Sequence, residues 1–131
     1  MALSTQMHMD VVLEVQRHAA LSGLETELEY HPDDEFLPYI IKYYTDADSS
    51  KHGRIMLFPQ EDLYFTSSQL SFIIQHIRKT EEAGGRTLLV FNEAGMARVS
   101  NILETTGVTR HAELAVFSKD KHNYRMSWSL D

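Results

Sequence analysis

The chain has 131 residues, 43% of them hydrophobic and 24% charged, which suits a single domain over residues 1–131 with one apolar core. Nineteen acidic residues against twelve basic ones leave a formal net charge of -7. That sign argues against a nucleic-acid binder and against binding to an anionic membrane surface. The absence of cysteine excludes disulfides and thiolate metal sites.

The first ten residues, MALSTQMHMD, carry no basic region followed by a long apolar run. No secretory signal is therefore expected, and the expected location is the cytoplasm. The segment Asp10 to Gln16 is rich in β-branched residues. It predicts two short strands around Arg17 and His18. The alternative is one helix running on through RHAALSGLETELEY, since Val11, Val12, Val15, Ala19 and Leu24 lie at roughly helical spacing. Gly23 argues against a long helix. From HPDDEF onward a helix is expected, capped by Asp33 or Asp34, with Phe36, Leu37, Ile40, Ile41 and Tyr44 as its apolar stripe. TDADSSKHG then reads as a polar loop ending at Gly53.

The pattern sharpens after that loop. Arg54 to Phe58, RIMLF, is a continuous apolar run of the kind buried on both faces of a sheet. SSQLSFIIQHIRKTEEAGG predicts a helix, with Leu70, Ile73, Ile74 and Ile77 at i, i+3, i+4 and i+7. Ser67 or Ser68 is its expected cap, and Gly84 and Gly85 its stop. RTLLVF, from Arg86 to Phe91, is a second buried strand. EAGMARVSNILETTG is a second amphipathic helix closed by Gly107, with Val108 packing back on its last turn. Ala112 to Phe117, AELAVF, is a third strand. The alternation of strand and helix over residues 54–117, with short turns, predicts parallel βαβ units. The tail NYRMSWSL alternates Tyr124, Met126 and Trp128, and adds a strand or packs an apolar face elsewhere.

Several chemistries lack their motif. The seven histidines include no HExxH and no pair at metal-ligand spacing, so no metal site is expected. No GxGxxG or GxxxxGK[ST] follows a strand, and no cofactor is expected. A hydrolase nucleophile would need a GxSxG elbow, whereas Ser67 and Ser68 sit in TSSQ. The expectation is a protein that is not an enzyme.

From Ile55 onward, the order of elements and the serine pair resemble the STAS domain, the fold of bacterial anti-sigma-factor antagonists and of the cytoplasmic domains of sulfate transporters. A buried strand, RIMLF, leads through a short acidic turn to YFTSSQL, where that family carries an apolar pair and then Asp-Ser-Ser/Thr-Gly-Leu. The next helix ends in Gly84-Gly85-Arg86, and the one after it in the pattern Leu103 to Val108. Residues 1–33 fit the family's leading hairpin only loosely. The resemblance implies an α/β fold with a mixed, mostly parallel β-sheet and helices packed mainly on one face.

By function, the resemblance implies a signalling protein that binds an anti-sigma factor or serine kinase with an ATPase fold. Thr66, Ser67, Ser68 and Gln69 would form the partner-binding face, with Ser67 as phosphoacceptor. The departures are that Thr66 stands where phosphorylatable members carry aspartate, and Gln69 where they carry glycine. Phe58 stands near the position of an acidic residue on the preceding strand. Two alternatives stay open. One is a cytosolic STAS subunit of a membrane transport complex. The other is a small α/β ligand-binding protein or enzyme sharing only the topology.

Overall fold

The computed structural model of the chain describes residues 5–21, 23–30, 39–45, 52–119 and 124–127. These form helix α1 (Thr5–Leu21), strands β1 (Leu24–Tyr30), β2 (Tyr39–Thr45) and β3 (His52–Phe58), helix α2 (Ser67–Glu82), strand β4 (Arg86–Asn92), helix α3 (Glu93–Thr105), a 3-10 turn at Val108–Arg110, and strands β5 (Glu113–Lys119) and β6 (Tyr124–Ser127). The strands make one sheet in chain order, β1 to β6. The protein is α/β with a mixed sheet.

The expected βαβαβ unit is present as β3-α2-β4-α3-β5, and its three strands pair in parallel. The strands are buried on both faces because the sheet is covered on both. Ile55, Leu57, Leu88, Val90, Ala115 and Phe117 face one apolar cluster. Met56, Phe58, Leu89 and Phe91 face the other. Leu70, Ile73 and Ile77 of α2, with Val99 and Leu103 of α3, fill the second cluster. Burying each of these side chains contributes about 1.5–3 kcal/mol. Gly84 and Gly107 take the left-handed conformation, φ 83° and 81°, just past α2 and α3. The Gly84 and Gly85 amides donate back to the Glu81 and Thr80 carbonyls, which ends α2 as its Gly-Gly predicts. Val108 is buried against the same helices, and the tail supplies β6.

The first third differs from expectation. Residues 10–16 are not a strand: they lie inside α1, which ends before the left-handed Gly23. Val11, Val12, Val15 and Ala19 are fully buried on one side of that helix, against the sheet face opposite α2 and α3. Tertiary burial of this stripe outweighs the β-branched preference of its valines. The helix expected from Asp33 is also corrected over residues 39–45, which are β2; residues 31–38 lie outside the described residues. Ile40 points into one core cluster and Tyr39, Ile41 and Tyr43 into the other, which is the period of a strand and not of a helix. The sheet is accordingly less parallel than expected. Its β3-β4 and β4-β5 pairs are parallel, while β1-β2, β2-β3 and β5-β6 are antiparallel. Two helices lie on one face and α1 on the other.

Candidate functional site

Residues 59–66 connect the end of β3 to the start of α2, beside the point where β4 hands over to α3. Both junctions lie at the carboxyl ends of neighbouring parallel strands, the edge at which open α/β sheets commonly carry their sites. The connection alternates. Leu63 and Phe65 are buried, whereas Tyr64 is 73% exposed and Thr66 is exposed. The Phe65 ring meets Phe58 edge-on at 5.5 Å, and Phe58 stacks on Phe91 at 5.1 Å. An aromatic column therefore supports the connection from beneath. From the side, Arg98 Nε donates to the Leu63 carbonyl at 3.2 Å. A Cβ on Gly95 would come within 2.6 Å of the Gln60 carbonyl oxygen, so the first turn of α3 sits directly against the connection.

The cap of α2 is not a serine. Thr66 is the N-cap, with extended backbone at φ -76° and ψ 165°. Its Oγ1 accepts from the Gln69 amide at 3.2 Å, and its own amide donates to Gln69 Oε1 at 2.8 Å. This is a capping box, which satisfies two orphan amides reciprocally. The expectation that Ser67 or Ser68 caps the helix is corrected for that reason. The signal was readable, because Thr66-Ser67-Ser68-Gln69 has the spacing S/T-x-x-Q ahead of an apolar run.

The four residues expected at the site thus sit together but divide in role. Thr66 and Gln69 hold the helix start. Ser67 and Ser68 occupy its first two positions with exposed side chains, while Leu70 turns into the core. The amides of a first helical turn attract negative charge. No lysine or arginine occurs between Tyr64 and Ile77 themselves, and Arg98 reaches the connection from α3 at Leu63. The acidic residues of the turn, Glu61 and Asp62, are exposed.

A second group went unread in the sequence. Lys42, His52, Arg54 and Lys79 line a groove at the other end of α2. Reading residues 39–45 as a helix concealed it, because only the strand register brings Lys42 opposite Arg54.

Among the described residues, no helix is long and apolar enough to cross a membrane. No protein-family model matches the chain, and no curated protein matches it.

Proposed function

We propose that this chain is a non-enzymatic cytoplasmic signalling module of the STAS kind, acting like an anti-sigma-factor antagonist. It docks a protein partner on the edge formed by Thr66, Ser67, Ser68 and Gln69. By resemblance, that partner is an anti-sigma serine kinase with an ATPase fold, and Ser67 is the residue it modifies.

One observation carries the reading. Because Thr66 and Gln69 cap α2, the exposed Ser67 is left without a capping duty. The same observation accounts for the two departures from the STAS pattern. Threonine caps a helix as aspartate does, and glutamine at the third position closes the box that glycine leaves open. A phosphate on Ser67 would add about 1.5–2 negative charges at the favourable end of the helix. With no lysine or arginine from Tyr64 to Ile77, that charge would face a docked partner and weaken its hold.

Incubation with ATP and a serine kinase that binds the chain should add one phosphate. Intact-mass spectrometry should find it in the wild type and in Ser68→Ala, and not in Ser67→Ala. No mass gain with a kinase that binds would rule out the switch. Ser67→Glu should weaken that kinase's binding at least tenfold with an unchanged melting temperature. Unchanged affinity would mean that the docking face lies elsewhere.

A further inference from the structure

We propose that the groove between the β2–β3 ribbon and the second half of α2 binds a small organic anion, a phosphate or carboxylate head on a ring-sized apolar body. The groove holds about 440 Å³ and is lined by Lys42, Tyr44, His52, Arg54, Lys79 and Thr80, among others. That volume lies within the range of small-molecule sites.

The strand register puts Lys42 directly opposite Arg54 across an antiparallel pair. Like charges so placed repel. Lys79 comes to the same groove from α2, which brings together three cations in a chain whose net charge is -7. Carboxylates meet only part of this charge. Glu29 on β1 pairs with Lys42 at 2.7 Å. Among the described residues, no carboxylate lies in salt-bridge range of Arg54 or Lys79.

Arg54 instead donates from Nη1 to His76 Nδ1 at 3.4 Å. An arginine has only donors, so Nδ1 is the acceptor and the imidazole is neutral. Burial, then Arg54 and Lys79, hold the His76 pKa below the ordinary histidine range, against an opposing pull from Glu29. A half-buried guanidinium bonded to a neutral ring keeps its charge for a ligand. Tyr44 and Ala83 add apolar surface to the same groove. An anion with a ring satisfies both features, which inorganic phosphate alone does not.

Lys79 follows Ser67 by twelve residues of one helix, a separation of about 18 Å. The groove is therefore independent of the serine edge.

Calorimetric and amide-NMR titrations of the full chain with phenyl phosphate, benzoate and inorganic phosphate test the proposal. One molecule of phenyl phosphate or benzoate should bind at least tenfold more tightly than inorganic phosphate. Amide shifts should concentrate at residues 42–44, 52–54 and 79–83. The tighter of the two ring compounds identifies the head group. Arg54→Gln combined with Lys79→Gln should lower that affinity at least tenfold without lowering the melting temperature, because it removes mutual repulsion. Ser67→Glu should leave the affinity unchanged. No binding of any probe at millimolar concentration, or equal binding by the double variant, would overturn the proposal.

Discussion

Helix α2 meets negative charge in different settings at its two ends. At its start, Ser67 and Ser68 stand exposed on a capped first turn, with no lysine or arginine as far as Ile77. Toward its end, Lys79 joins Arg54 and Lys42 around a half-enclosed groove. Negative charge arriving at the start would meet the amides of the first turn and be displayed outward. Negative charge arriving at the groove would be absorbed. One helix thus separates an exposed, capped serine turn from a groove lined by three cations.

The largest effect comes from removing what supports the serine end. Phe58 is fully buried between Phe65 and Phe91. Phe58→Ala should cost about 3–5 kcal/mol in urea denaturation, as expected when a core aromatic leaves a cavity. A loss below about 1 kcal/mol would break the view that the aromatic column carries the connection to α2.

A smaller effect separates cap from switch within the same turn. Thr66→Ala removes the acceptor of the capping box and should cost about 1 kcal/mol. Ser67→Ala should stay within about 0.5 kcal/mol of wild type, as exposed substitutions do. Equal costs at the two positions would return Ser67 to a structural role and remove the observation on which its regulatory reading rests.

The two ends also differ in how far they can be read from sequence. The run RIMLF, the stripe Leu70, Ile73 and Ile77, and the stops at Gly84 and Gly107 each carry a local signal that agrees with the fold, so β3 through β5 were legible. The serine edge followed from that order of elements, although the capping box was missed. The first third gave contrary local signals. Val11, Val12 and Val15 favour strand but are buried as a helical stripe. Ile40, Ile41 and Tyr44 fit a helical stripe but belong to a strand whose two faces enter different clusters or line the groove. Period alone does not separate these cases in short apolar runs. The groove is built on the misread β2 and depends on cross-strand register, so nothing in the linear sequence brought Lys42 to Arg54.

The smallest predicted effect is the pH dependence of the groove end, and its sign is fixed by the charges around His76. Arg54 faces it from β3, Lys79 from its own helix, and Glu29 from β1. Phe72 packs on the ring at 4.4 Å. Burial and the two cations favour the neutral ring more than Glu29 favours the charged one, so the pKa is lower in the folded chain than in the unfolded chain. Between those two values the unfolded chain binds more protons, and stability rises with pH. Above the ordinary histidine value, about 6.5, the group contributes no penalty. As pH falls through that value toward the folded one, the penalty grows, and it is complete below the folded value. His76→Asn has no such titration. The stability of wild type relative to His76→Asn should therefore decline as pH is lowered from 8 to 5 in parallel thermal melts. Arg54→Gln removes one of the two cations and should flatten that decline. A wild-type advantage that grows on acidification would mean that Glu29 dominates the site, and that the groove is less cationic than its residues indicate.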